Sequence, residues 1–101
     1  MAMTTTRGAT VIKPADEFGA VLSSRFAAEE LRARIERELA EGTDVVVSLE
    51  GVIAVSPSFA DELFAKVPQD AVETGRVRFV NLSEDLRAIA RFVREGRGRT
   101  A

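Results

Sequence analysis

The 101-residue sequence contains no cysteine, histidine, tryptophan or tyrosine. The absence of cysteine excludes disulfides, iron–sulfur clusters and thiol nucleophiles, and the absence of histidine removes the commonest zinc ligand and general base. Six phenylalanines are the only aromatic residues, and the formal net charge is −2. Because a broad nucleic-acid interface needs a surplus of positive charge, we expect no nucleic-acid partner, and we also expect no metal and no cofactor.

Long apolar runs are also missing from the sequence. The longest uninterrupted run covers only residues 52–55, whereas a membrane-spanning helix needs about 20 apolar residues. The first ten residues contain no apolar stretch of the length found in signal peptides. We therefore expect a cytoplasmic protein that does not contact a membrane.

The residues that are present have the composition of one ordinary globular domain. Hydrophobic residues make up 46% of the chain and charged residues 30%, and both values are typical of folded domains of about this length. The distribution of apolar residues predicts a single domain over residues 9–95. It is expected to lie between a flexible leader (residues 1–8) and a flexible basic tail (residues 96–101).

Three strands are predicted, each followed by a helix, and they cover residues 9–13, 44–55 and 76–82. Within the second strand, Gly51 indicates a bulge or a kink in one long strand. Residues 18–22 fit either a short strand or one turn of helix. The alternation of strands and helices predicts an α/β fold with a small, mainly parallel sheet and right-handed crossovers.

Capping residues and helix breakers mark the ends of three predicted helices. In each helix apolar residues recur every three or four positions, so one face of each helix is expected to be buried. Serines are typical of helix starts, whereas glycine and proline are typical of helix ends. Ser24 and Gly42 mark the start and end of the first helix, Ser56-Pro57-Ser58 and Pro68 mark those of the second, and Ser83 and Gly96 mark those of the third.

The two faces of the central strand differ in polarity. Val45 and Val47 point to one side, and Val46, Ser48 and Glu50 point to the other. A parallel sheet with helices on both faces would be apolar on both. The pattern therefore predicts that the helices lie mainly on one face and leave the other to water or to a partner.

Two serines stand where the central strand ends and the second helix begins. Ligands of open parallel sheets bind beyond the carboxyl ends of the strands, and a helix N-terminus suits an anion. Phosphorylation of Ser56 or Ser58 would place negative charge where the helix dipole favours it. A structural alternative stays open, because Ser58 and Asp61 resemble a capping box. Glu62 is expected to form an ordinary i,i+4 ion pair with Lys66.

The segment over residues 45–52 and the run Ser58-Phe59-Ala60-Asp61-Glu62-Leu63-Phe64 resemble the STAS-like family of unknown function, whose signature is G-V…S-F-A-D-E-L. Ser24-Arg25 and Val80-Asn81-Leu82 resemble that family as well, and the likeness spans roughly residues 10–95. The family is similar in turn to the STAS domains of bacterial anti-sigma factor antagonists. The resemblance implies a β-α superhelix with its helices on one side of the sheet.

In those antagonists, a serine in the pattern Asp-Ser-Ser-Gly at a helix N-terminus is phosphorylated by a partner ATPase-kinase. The unphosphorylated form binds that kinase, which is also an anti-sigma factor. Aligning the strands places the phosphoacceptor on Ser58, so the resemblance implies a histidine-kinase-like ATPase as the partner. The pattern here is Ser56-Pro57-Ser58-Phe59, which lacks the acidic residue and has phenylalanine where the antagonists have glycine.

These observations predict a non-catalytic regulatory module that binds a protein partner. Ser58 is the candidate phosphoacceptor, and the candidate partner-binding residues are Arg25, Ser56, Phe59, Asp61 and Glu62. The resemblance places Arg25 beside the SFADEL run, where it would either form a structural ion pair with Asp61 or hold a phosphate.

The alternative function is a structural homo-oligomer, or a subunit of a larger assembly, which uses the uncovered sheet face and has no phosphoswitch. An enzyme is not expected. Only carboxylate–metal or Ser/Lys chemistry would be available to this composition. The two lysines, Lys13 and Lys66, are not placed near a serine by helical spacing.

Overall fold

A computed structural model describes residues 8–98 of the chain. The strands are β1 (Ala9–Ile12), β2 (Val21–Leu22), β3 (Asp44–Ser48), β4 (Ala54–Val55) and β5 (Val77–Val80). The helices are α1 (Pro14–Phe18), α2 (Arg25–Ala40), α3 (Pro57–Ala60), α4 (Gln69–Glu73) and α5 (Glu84–Gly98), and a π-helical segment (Asp61–Ala65) continues directly from α3. Residues 1–7 of the predicted leader and 99–101 of the predicted tail lie outside the described residues and stay predictions, whereas residues 96–98 of that tail belong to α5.

The main sheet is parallel and contains β1, β3 and β5, with β3 in the middle. Val45, Val47 and Val77 point to one face of this sheet and are buried in the core with the helices. On the opposite face Val11 is 62% exposed, and Arg78 is exposed as well. The predicted α/β fold, with a small parallel sheet and helices mainly on one face, is confirmed.

The chain turns sharply where the sequence predicted one continuous strand. β3 ends at Ser48, and Gly51 adopts a φ of 85°, a left-handed conformation that favours glycine. The Val52 N–H donates to the Leu49 carbonyl (3.0 Å) and closes the turn. A Cβ on Gly51 would lie 3.2 Å from the Ala15 Cβ. The prediction of one strand over residues 44–55 is therefore wrong, because Gly51 belongs to a turn between two strands and not to a bulge.

After this turn β4 pairs with β2 in a second, two-stranded parallel sheet, where Leu22 lies opposite Val55. Both alternatives left open for residues 18–22 are partly realised. The short helix α1 ends at Phe18, and the strand β2 covers Val21–Leu22.

The ends of α2 agree with the sequence signals. The Ser24 Oγ accepts a hydrogen bond from the Ala27 N–H (3.2 Å). Gly42 follows the last turn with a φ of 85°, as expected for a glycine that ends a helix. Leu31 and Ile35 are fully buried, which confirms the apolar stripe that fixes α2 against the sheet.

The C-terminal helix α5 begins as predicted and ends later than predicted. The Ser83 Oγ accepts a hydrogen bond from the Leu86 N–H (3.1 Å), so Ser83 is the cap. The predicted end at Gly96 is wrong, because the helix continues to Gly98 and Gly96 does not adopt a left-handed φ. Over residues 8–98, no helix combines the length and the apolarity that crossing a bilayer would require.

The second predicted helix consists of several parts. α3 begins at Pro57 as predicted, runs into the π-helical segment, and is followed by α4, which begins after Pro68. α4 lies beyond Pro68, where the second helix was predicted to end, so it is an additional helix that was not predicted. Phe59 and Phe64 are completely buried, and the ring of Phe64 meets that of Phe79 edge-on with centroids 5.1 Å apart. These aromatic contacts fix the helical layer to the sheet.

Candidate functional site

The N-termini of α2 and α3 lie side by side. β2 and β4 are paired in parallel, and each strand leads directly into one of these helices. The Ser56 Oγ donates to the Ser23 carbonyl (3.3 Å), and the Ser56 N–H donates to the Leu22 carbonyl (2.8 Å). The pairing of these two strands therefore brings the two helix starts together.

The two serines at the start of α3 have different roles. The Ser56 Oγ accepts a hydrogen bond from the Phe59 N–H (3.1 Å), so Ser56 is the N-cap. The suggested capping box of Ser58 with Asp61 is wrong for that reason. Ser58 is the second residue of the helix, is half-buried, and has its Oγ 3.3 Å from the Ser56 Oγ. Its hydroxyl is therefore not needed as the helix cap.

One turn further along, Glu62 is a buried charge with three cationic partners. Its side chain is only 1% exposed, and its carboxylate accepts hydrogen bonds from the Arg32 Nε (2.9 Å) and the Lys66 Nζ (2.7 Å). Arg25 approaches the same carboxylate from the start of α2, with Nη1 at 3.8 Å from Oε2. Three cations thus surround one buried carboxylate, which links α2 to the π-helical segment.

Opposing effects act on the pKa of Glu62. Burial alone would raise the pKa, but the hydrogen bonds and positive charges of Lys66 and Arg32 outweigh burial and hold it below its usual range. The same contacts raise the pKa of the Arg32 guanidinium, chiefly through its hydrogen bond to Glu62. Because its pKa is lowered, Glu62 is a structural anion that stays charged at a lower pH than an ordinary glutamate does.

Arg25 lies beside the SFADEL run, as the resemblance implied, but its ion-pair partner is one residue away from the expected one. The ion pair of Arg25 in the structure is with Glu62 and not with the predicted Asp61. The sequence also failed to identify Arg32 as a ligand of Glu62. Arg32 also forms an i,i+4 ion pair with Glu36 (2.9 Å), but no sequence spacing indicates a contact between residues 30 positions apart.

Two of the predicted partner-binding residues lie in the interior. Phe59 is completely buried, and Glu62 has almost no exposed surface. Neither side chain can touch a partner in this conformation, so we correct their predicted contact role to a structural one. Arg25, with 59% of its side chain exposed, and the half-buried Ser56, Ser58 and Asp61 are the predicted site residues that reach the surface.

Exposed apolar side chains gather at the same end of the molecule. The structure describes five large exposed hydrophobic residues, and three of them lie within three positions of the N-caps Ser24 and Ser56. They are Val21 (54% exposed), Phe26 (84%) and Ile53 (77%). We call these three residues the apolar end patch. A shallow depression of about 390 Å³ beside β4 is lined by Ile53 on one side and by α5 on the other.

Within residues 8–96, no group of three or more acidic side chains is arranged as a candidate metal site. The chemical features of the site are instead two hydroxyl groups, an arginine held loosely by a buried carboxylate, and exposed apolar surface. Such an arrangement can bind a protein surface, or an anion attached to a serine.

The structure has a parallel main sheet with helices on one face, and two helix N-termini meet beyond the small second sheet. These features define a small α/β domain of the STAS type. The chain belongs to the family described as STAS-like domain of unknown function (DUF4325), whose model matches residues 27–87, more than half of the chain. The family membership predicted from the SFADEL run is confirmed. No curated protein and no solved structure matched the chain.

Proposed function

We propose that the protein is a cytoplasmic, non-catalytic regulatory module that binds a protein partner through the paired starts of α2 and α3. The observation that carries this proposal is Phe26, which is 84% exposed on the first turn of α2. It follows Arg25 and stands two residues after the cap Ser24. A large aromatic side chain in this position has no role in the core, whereas aromatic residues are typical anchors of protein interfaces.

Phosphorylation of Ser58 is the proposed switch of this surface. Ser58 and Glu62 are four residues apart, so their side chains are neighbours on the helix. A phosphate on Ser58 would compete with Glu62 for Arg25, whose present contact is the longest of the three around that carboxylate. It would also add about −1.5 to −2 charges at a helix start, where the dipole stabilises them.

The class of partner is proposed from the family resemblance. STAS domains of anti-sigma factor antagonists bind an ATPase-kinase of the histidine-kinase-like class, and an equivalent kinase would be able both to bind this surface and to modify Ser58. The large Phe59 that follows Ser58 does not obstruct such an enzyme, because its ring is buried in the core.

A pull-down from the native lysate, followed by mass spectrometry, tests this proposal with matched baits. Phe26→Ser removes the proposed anchor, and Phe92→Ser removes an equally exposed phenylalanine (76%) on α5. Burial of a phenylalanine contributes about 1.5–3 kcal/mol, so Phe26→Ser should weaken the complex roughly ten- to hundredfold. Ser58→Asp adds a charge at the switch, and Ser58→Ala is its uncharged control.

We expect the wild type, Phe92→Ser and Ser58→Ala to recover the same partner, Phe26→Ser to lose it and Ser58→Asp to recover less of it. Equal recovery with Phe26→Ser and Phe92→Ser would disprove the proposed surface. Equal recovery with Ser58→Asp and Ser58→Ala would disprove the switch and leave the surface intact.

A second candidate function is a homo-oligomer built on the uncovered face of the main sheet. Val11 is 62% exposed there and lies opposite the half-buried Val46 of the neighbouring strand. Sedimentation velocity should then detect a dimer that Val11→Glu dissociates. A wild-type monomer at micromolar concentration would contradict this candidate.

A further inference from the structure

Within residues 8–98, the strand β5 forms one edge of the main sheet and pairs with β3 alone. The carbonyls of Arg76 and Val80 accept hydrogen bonds from β3, at 2.8 and 2.9 Å. Because alternate residues of a strand direct their backbone groups to opposite sides, Arg78 also faces β3. The N–H and C=O groups of Val77 and Phe79 therefore point away from β3, where those of the buried Val77 are covered and those of the half-buried Phe79 can pair with another strand.

This open edge forms one wall of a groove. The groove has a volume of about 1040 Å³ and lies between β5, α4 and α5. The half-buried Val72, Phe79 and Leu82 contribute apolar surface to it. Its length follows the strand, so an extended chain segment fits it better than a compact ligand does.

The charge of the groove is opposite to that of the protein. Four arginines and two glutamates line it, although the whole chain carries a net charge of −2. Three of these arginines, Arg78, Arg87 and Arg91, form no ion pair within the described part of the chain. The fourth, Arg94, donates from Nε to the Gln69 Oε1 (3.1 Å). A cluster of unpaired arginines favours acidic groups on whatever fills the groove.

We propose that this groove binds an acidic, extended segment of a partner protein, which adds to β5 as a further parallel or antiparallel strand. The accessible backbone groups of Phe79 pair with the added strand, and the arginines of α5 select acidic side chains on the face of the segment that lies against them. A second copy of this chain fits less well, because pairing of two β5 edges would bring two sets of unpaired arginines together. The surface shares none of its residues with the site at the helix starts.

Fluorescence anisotropy with the full chain and short labelled peptides tests this proposal. The probe is a peptide of about eight residues, long enough to span β5, in which glutamate alternates with valine. Two control peptides replace glutamate with lysine, or carry N-methyl groups on every backbone nitrogen. The lysine peptide keeps the apolar residues and reverses the charge, whereas the methylated peptide keeps the charge and cannot donate to a β ladder.

Three charge-reversal variants are matched in net charge. Arg87→Glu and Arg91→Glu alter exposed residues of the groove. Arg37→Glu alters an exposed arginine of α2 that also forms no ion pair among the described residues. Because an exposed charge pair changes an affinity by roughly two- to fivefold and reversal adds repulsion, each groove variant should weaken binding about three- to tenfold. Arg37→Glu should change it less than about twofold, since distant exposed charges are screened.

The expected result is that the glutamate peptide binds at least about tenfold more tightly than either control peptide, and that only the groove variants weaken it. Equal binding of the methylated peptide would overturn the added strand. Equal losses with Arg37→Glu would overturn the groove as the site. Two other outcomes would show a different occupant of the groove and so also overturn the proposal. One is tighter binding of a labelled single-stranded oligonucleotide, and the other is a concentration-dependent dimer that Arg87→Glu and Arg91→Glu strengthen.

Discussion

Replacing Glu62 with glutamine removes one charge and keeps the shape of the side chain. The amide oxygen can still accept the hydrogen bond from the Arg32 Nε, but the amide nitrogen then faces the Lys66 Nζ, which is also a donor. In the wild type that lysine lies 2.7 Å from the carboxylate, and Glu62 is 1% exposed. The substitution therefore places the Lys66 ammonium group against another hydrogen-bond donor, at a site from which water is nearly excluded.

The size of the effect follows from the exposure of the partners. Removing one member of a buried ion pair costs about 3–5 kcal/mol. Here Arg32 and Lys66 keep 29% and 32% of their side chains exposed and can recover some hydration. We therefore expect Glu62→Gln to lower the free energy of unfolding by about 2–3 kcal/mol, which corresponds to a fall in Tm of about 10–20 °C for a domain of this size.

Urea unfolding followed by far-ultraviolet circular dichroism measures this loss, because the chain has no tryptophan or tyrosine for fluorescence. Glu36→Gln is the control, since Glu36 also pairs with Arg32 but is 42% exposed. It should cost no more than about 0.5 kcal/mol. If both variants cost the same, or if Glu62→Gln costs less than about 1 kcal/mol, the carboxylate is not the electrostatic centre that its contacts indicate.

Three further outcomes can be measured by the same unfolding assay. Because the folded pKa of Glu62 lies below its ordinary value of 4.5, the stability that its contacts contribute is fully present above pH 4.5 and is lost as the pH falls through the lower folded pKa. Glu62→Gln should therefore flatten the acid limb of the stability profile, and an unchanged limb would contradict the lowered pKa. Gly51→Ala should destabilise the protein more than Gly75→Ala. Both glycines have a left-handed φ, which costs an alanine about 1–2 kcal/mol, but of the two only Gly51 would bring a Cβ within 4 Å of another side chain. Equal losses in stability would show that the neighbouring side chain moves away without cost. Ser56→Ala removes an N-cap and should lower the free energy of unfolding by about 1 kcal/mol, whereas Ser58→Ala should change it by no more than about 0.5 kcal/mol. The reverse order would show that Ser58 is the cap.

The sequence predicted features that depend on neighbouring residues in the chain. Ser24 and Ser83 were identified as caps because a cap accepts a hydrogen bond from an amide three residues later, and that relation is visible in the sequence. The parallel α/β fold and its single covered face followed from periodicity in the same way. For Ser58 the local signal was ambiguous, because Ser56 and Ser58 both precede suitable amides and only the backbone shows which one begins the helix.

The features that the sequence did not predict depend on contacts between distant segments. Gly51 fits a bulge within one strand as well as a turn between two strands. What distinguishes them is the pairing of Ala54 and Val55 with β2, more than 30 residues earlier. The contact of Arg32 with Glu62 spans 30 residues in the same way. No periodicity within one helix or strand contains that information.

The positions of the SFADEL residues explain why family membership establishes the fold before it establishes a function. Phe59, Ala60, Glu62 and Leu63 are all buried, so most of the run packs the helical layer or holds the cation cluster. These residues would be required in any protein with this architecture, whatever it binds. Apart from the half-buried Ser58 and Asp61, recognition must then depend on surface that the run does not contain, and Phe26 lies outside both the run and the segment matched by the family model. A variant at Phe26 therefore separates recognition from folding, which no substitution at the buried positions of the run can do.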